Sequence, residues 1–230
     1  MINYLKLIIL LILFPASLAT ADDRTWQWSF GPYGDELFIG TKFNTSDDGD
    51  PYDLLLGSST YIYCGVYHEQ GVDGWTGSNG FYSQDMRAAL GTTPGSSKTW
   101  RIYYWNYINS PANWIDTDFT WHFGTTGYET PSNNIEYKLT FVRLPVGITQ
   151  WNPPSPRGTP TLGETIILNN HTEGSWLLRT YRTDNGLHGY IFDLTATVVP
   201  EPSSIVALVL GLVPVTMSAL KRHNRASPGK

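Results

Sequence analysis

The sequence predicts an all-β body, an antiparallel β-sandwich or jelly-roll-like domain over residues 22–198, and three observations predict it. Several segments alternate apolar and polar residues with period two, the pattern of strands with one face on a core and one in water. Clusters of turn-forming residues separate these segments at short intervals. The composition is 14% aromatic with 22 Gly and 15 Pro, so β-favouring side chains and chain reversals are both plentiful. With 41% hydrophobic and only 15% charged residues, the chain has the balance of a folded protein rather than a disordered one.

In chain order the predicted strands are Thr25–Phe30 (TWQWSF), Leu37–Phe43 (LFIGTKF), Thr60–Tyr67, Trp100–Tyr107 (WRIYYWNY), Phe119–Phe123, Ile135–Leu144 (IEYKLTFVRL), Thr165–Asn169, Ser175–Tyr181 (SWLLRTY) and Gly189–Val198 (GYIFDLTATV). Alternation is clearest in two of them. Ile135, Tyr137, Leu139 and Phe141 share one face, with Glu136, Lys138 and Thr140 on the other. Phe192, Leu194, Ala196 and Val198 likewise oppose Asp193, Thr195 and Thr197. Turns are expected at Asp47–Pro51, Gly91–Gly95, Pro153–Pro156 and Asn185-Gly186. About nine strands of this kind fit a sandwich or jelly-roll. One segment reads as a two-turn helix: Ser83 as a cap, good helix formers to Leu90, then Gly91 as a stop.

Charge is distributed unevenly. Residues 22–199 hold 19 acids and 10 bases, a net −9, whereas the whole chain is −5. An acidic body with no basic stripe argues against nucleic acid as a partner. The remaining bases, Lys6, Lys221, Arg222, Arg225 and Lys230, flank two apolar runs at the chain ends. The single cysteine, Cys64, excludes an internal disulfide, and its place on the alternation Ile62, Cys64, Val66 predicts a small buried hydrophobe.

At the N-terminus, Lys6 precedes the apolar run Leu7–Phe14 and then Ala19-Thr20-Ala21, a small-x-small site. This is the layout of a signal peptide over 1–21, cleaved after Ala21 by signal peptidase following Sec export. At the other end Val199-Pro200-Glu201-Pro202 precedes an uncharged run, Ser203–Leu220, and then Lys221-Arg222-His223-Asn224-Arg225. That run is long enough for a transmembrane helix at about 203–220, with 226–230 left as a cytoplasmic tail by the positive-inside rule. Hydropathy alone describes a type I anchor with the body outside.

Pro200-Glu201-Pro202, the span and the Lys221-Arg222 cluster together resemble the PEP-CTERM sorting signal of bacterial exported proteins, over roughly Val198–Arg225. The resemblance implies transient recognition of the segment 199–225 by exosortase, a membrane-embedded cysteine transpeptidase that cuts near the motif. It further implies a body released or attached at the cell surface, outer envelope or extracellular matrix, in organisms that often make exopolysaccharide. It implies nothing about the fold or chemistry of the body.

Catalytic motifs fail one by one. His68-Glu69 begins a zinc-protease pattern, but Val72 stands where its second histidine is required. Glu129 and Glu136 do not have the spacing of a glycanase carboxylate pair. No Gly-x-Ser-x-Gly elbow occurs, and whether His68, His122, His171 and His188 meet in space is not encoded in spacing. Two binding candidates remain. Asp47, Asp48, Asp50 and Asp53 surround Gly49 in a loop whose carboxylates suit calcium, though without EF-hand spacing. In WRIYYWNY, Trp100, Ile102 and Tyr104 alternate with Tyr103, Trp105 and Tyr107, and an aromatic row left outside the core would stack on sugar rings. The expectation is therefore a non-enzymatic surface or matrix protein that binds polysaccharide and needs no cofactor beyond that candidate calcium. The alternatives are a divergent glycan hydrolase or lyase on the same scaffold, and a purely structural matrix component.

Overall fold

Period-two patterning does produce strands here. The computed structural model describes residues 26–200, apart from 32–35, 43–46, 48, 50–52, 57–61, 73–74, 108–113, 125–130, 132–133, 149–159 and 184. The strands are β1 (Trp26–Gly31), β2 (Leu37–Thr41), β3 (Leu54–Leu55), β4 (Ile62–His68), β5 (Gly80–Arg87), β6 (Ser97–Asn106), β7 (Trp114–Phe123), β8 (Ile135–Arg143), β9 (Thr165–Ile167), β10 (Glu173–Tyr181) and β11 (Tyr190–Val198). All nine predicted strands are among them. Short 3-10 turns at Leu168–Asn170 and Gly186–His188 are the described helical elements. Asn185 starts the second turn by accepting from the Leu187 amide at 2.9 Å, so the Asn-Gly pair does reverse the chain.

The predicted helix at 83–90 is instead part of β5 and the loop after it. Helix propensity is a weak preference that tertiary contacts override. Here Phe81 packs on Trp105 at 4.5 Å, and β5 pairs with β2, β3 and β4. Gly91, read as a helix stop, lies in the following loop at φ +81°.

The fold is all-β and largely antiparallel, as expected, but two separate sheets are replaced by one. The strand order is β10-β7-β1-β2-β5-β4-β6-β11-β8-β9, with β3 added to β5. The join between the halves is the parallel pair β2–β5, with Phe38 beside Gln84 and Thr41 beside Arg87. The sheet curls until its halves face each other. Phe119 on β7 stacks on Phe192 of β11 at 4.3 Å, and Trp26 on β1 meets Trp100 of β6 edge-on at 5.2 Å. At one end the curl closes: buried Asn106 of β6 donates to the Thr180 carbonyl of β10 at 3.0 Å and accepts from the Thr183 amide at 2.9 Å.

Between the halves lies one aromatic core, built from Trp28, Phe30, Trp100, Tyr104, Phe119, Tyr137, Phe141 and Phe192, all essentially without solvent contact. Such side chains contribute about 1.5–3 kcal/mol each on burial. The indole N–H groups of Trp26, Trp28 and Trp100 have no hydrogen-bond acceptor among the described residues. Trp28 instead makes T-shaped contacts with Phe123 and Tyr137, at 5.0 and 5.5 Å, as Trp26 does with Trp100 and Tyr137. Edge-on packing sets the positive ring edge against a negative π face and offsets part of that loss. Cys64 is buried opposite Tyr104, and burial pushes its thiol well above the ordinary value, so it behaves as the small hydrophobe expected.

Where β11 begins beside β6, only glycine fits. A Cβ on Gly189 would stand 2.5 Å from the Tyr104 carbonyl oxygen and 2.8 Å from Trp105 Cβ. Gly189→Ala is expected to lower stability by about 1–3 kcal/mol, the usual cost of overpacking, measured as a reduced urea midpoint at unchanged slope.

Residues 21–198 form one compact unit. Among the described residues no helix is long and apolar enough to cross a membrane. The signal segment with Ala19 and Ala21, the motif residues Glu201 and Pro202, the expected span at 203–220 and the Lys221-Arg222 cluster lie outside the described residues; Pro200 is described and exposed just after β11.

Candidate functional site

A concavity in the described body arises where a ladder stops. β4 pairs with β6 only from Ile62 opposite Asn106 to Val66 opposite Ile102. β6 continues past that point, paired with β11 alone over Ser97–Arg101. The Thr99 carbonyl is met by a side chain instead of a strand: Arg87, at the end of β5, donates to it at 3.1 Å. Around this gap an open groove of about 470 Å³ is lined by residues of β4, β5, β6 and β11, by the loop after β4, and by Asp47.

Three ion pairs hold the groove. Arg101 on β6 grips Asp193 on β11 through Nε and Nη2, both at 2.9 Å. Those hydrogen bonds raise the guanidinium pKa above its ordinary value and keep it charged. Lys98 donates to both carboxylate oxygens of Asp47, which also accepts from the Ala88 amide at 3.0 Å. Arg87 reaches Asp85 through Nη2 at 3.0 Å and Nε at 3.2 Å, while its guanidinium lies 4.9 Å from the Trp100 ring centre.

Asp85 is 1% exposed and is also bound by His68 Nε2 at 3.0 Å. Burial alone raises a carboxyl pKa. Here the hydrogen bond with His68 and the charge and hydrogen bonds of Arg87 together outweigh it, holding Asp85 below the ordinary carboxylate value. The His68 ring in turn lies flat on Trp75, 3.7 Å away and 6° from parallel. Trp75 is held by the β4–β5 loop, whose Gly71 amide donates to the Trp75 carbonyl at 2.8 Å, and Tyr82 abuts the ring edge-on at 5.0 Å. Tyr67 and Tyr103 supply partly exposed aromatic surface in the same groove. Burial raises the Tyr103 phenol above its ordinary value, so it remains a neutral donor.

The predicted aromatic row divides by face, as alternation requires, but does not form an open platform. Trp100 and Tyr104 belong to the core, and the Tyr104 hydroxyl meets Thr117 Oγ1 and the Asp118 carbonyl at 3.1 Å each. On the other face Trp105 is covered by Phe81 and by Tyr63, stacked at 5.1 Å. Tyr103 lines the groove, and Tyr107 is 49% exposed with the Arg182 guanidinium 5.9 Å from its ring.

Of the acidic loop, Asp48 and Asp50 lie outside the described residues. Asp47 is engaged as above, and Asp53 accepts from the Met86 amide at 2.9 Å. These two carboxylates tie the loop to β5. Among the described residues no group of three or more His, Cys, Asp or Glu is placed to hold a metal ion. The histidines have separate partners: His68 has Asp85, and His122 has Glu36 at 3.1 Å. Glu136 pairs with Lys138 at 2.6 Å, and Glu129 is outside the described residues.

Sequence reasoning missed Asp85, Arg87, Arg101 and Asp193 as site residues. Asp193 was discoverable, since it is a charged residue on the polar face of a strongly alternating strand. In comparisons with known proteins, no family model, curated protein or solved structure matches the chain, so the likeness to a sorting signal rests on the residues of the tail alone.

Proposed function

We propose that this chain is an exported, non-catalytic protein of the cell surface or extracellular matrix whose groove binds polysaccharide. The observation that carries the binding reading is the groove itself. Partly exposed Tyr67 and Tyr103 lie in one concavity with three ion pairs and the Thr99 side chain. Sugar rings need that combination, an aromatic surface for their C–H faces and fixed polar groups for their hydroxyls. Asp47 and Asp193, the carboxylates lining the groove, are each held by a cation. Acid–base hydrolysis needs a proton-carrying carboxyl facing a second one, so this arrangement supports binding over the hydrolase alternative. The sandwich-like closure of the curled sheet supplies a rigid scaffold for such a surface.

Export rests on the chain ends: a signal peptide cut after Ala21, then membrane retention through the segment 199–225 until exosortase acts at Pro200-Glu201-Pro202. Mass spectrometry of the mature protein from its host is expected to show a chain beginning at Asp22 and lacking Ser203–Lys230. A mature protein that retains Ser203–Lys230 means a simple anchor instead. For the groove, native affinity electrophoresis of the full-length protein in detergent is expected to show retardation by polysaccharide, including the producer's own exopolysaccharide. Tyr103→Ala should weaken that retention about tenfold, equivalent to ~1.4 kcal/mol. Equal retention of the variant would place the ligand elsewhere.

A further inference from the structure

We propose that the groove takes an uncharged polysaccharide, and that its ion pairs exclude uronate- and sulfate-bearing chains. This rests on the polysaccharide-binding reading above and specifies its ligand.

The argument is one of charge matching. Among the described residues the two arginines lining the groove each have a carboxylate, Arg101 with Asp193 and Arg87 with Asp85, and Lys98 beside it has Asp47. The three pairs cancel. An anionic sugar would have to displace one of these carboxylates or lie beside it, and either course costs the attraction it gains. The surroundings add to the penalty, since the body as a whole carries a net −9.

A hydroxyl faces no such conflict, because it both donates and accepts. The Arg101–Asp193 pair uses Nε and Nη2 against the two carboxylate oxygens. The guanidinium keeps further N–H groups pointing away from Asp193, and the carboxylate keeps further lone pairs. Adjacent hydroxyls of a neutral ring can accept from one member and donate to the other without breaking the pair. Arg101 is 54% exposed and Asp193 20%, so both remain within reach of a ligand. Arg87 is fixed at the gap by Asp85 and the Thr99 carbonyl, which leaves it a positioning group for the groove wall. Tyr103, between this wall and β4, offers a ring that does not depend on ligand charge.

The test runs the full-length protein in detergent through native gels cast with a neutral β-glucan or a mannan, and through matched gels with polygalacturonate or alginate. Neutral polymers are expected to retard it, with the apparent Kd unchanged between low and physiological salt, and acidic polymers to bind at least tenfold more weakly. Asp193→Asn, checked for folding by circular dichroism, uncovers Arg101. It should weaken neutral binding and strengthen acidic binding, bringing the two within about threefold. Retardation by the acidic polymers as strong as by the neutral ones overturns the charge argument while leaving polysaccharide binding intact. Retardation by none of the four removes the binding reading itself. An Asp193→Asn protein with the wild-type preference shows that the pair does not set selectivity.

Discussion

Phe192→Ala is expected to lower stability by about 3–5 kcal/mol. The side chain has no solvent exposure and stacks on Phe119 at 4.3 Å, Phe141 at 5.3 Å and Trp176 at 5.7 Å. Those partners come from both halves of the curl: Phe119 and Trp176 from β7 and β10, Phe141 from β8. Removing the ring takes away the surface on which the halves meet, and the flanking aromatics are too rigid to fill the space. For a domain of this size the loss corresponds to a fall in Tm of about 6–20 °C. Thermal unfolding followed by near-ultraviolet circular dichroism measures it, because the core aromatics dominate that signal. A fall below about 2 °C would show that the halves do not depend on this contact.

The same core explains what was readable in advance. Ile135, Tyr137, Leu139 and Phe141 are all buried, as their spacing requires, because β8 turns one face to the core along its length. WRIYYWNY was also legible in its faces, since alternation follows from backbone geometry. What covers the second face was not: Trp105 is packed by Phe81 and Tyr63, on β5 and β4. Strand order was equally hidden, because the parallel pairing of β2 with β5 depends on long-range packing that carries no local pattern. The misreading of 83–90 as a helix had a direct cost. It placed Asp85 and Arg87 on a short helix, when they stand on a strand beside His68 and Thr99. A groove assembled from β4, β5, β6, β11 and two loops cannot be seen until those elements are paired.

Asp85 also makes the second strong prediction, and it concerns acid. Removing the carboxylate in Asp85→Ala leaves Arg87 and His68 facing a cavity where their acceptor was. Breaking a buried pair from one side costs about 3–5 kcal/mol. The lower end is expected here, since Arg87 keeps its bond to Thr99 and its place over the Trp100 ring. The pH dependence follows from the direction of the shift. Asp85 titrates lower in the folded protein than its ordinary value of 3.8, so the unfolded chain takes up its proton first as pH falls. Its contribution is therefore complete above about pH 4 to 5 and is lost as pH drops through the depressed folded value. Other carboxylates add their own acid sensitivity, so the informative quantity is the difference between proteins. Wild type should exceed Asp85→Asn in Tm at pH 7, and the gap should narrow steadily below about pH 4. A gap that stays constant down to pH 2.5 would mean the carboxylate is not held ionised by His68 and Arg87. Because His68 and Arg87 line the groove, the polysaccharide binding proposed for it should also be weaker in the variant at pH 7. Loss of stability without loss of binding would separate the scaffold from the site.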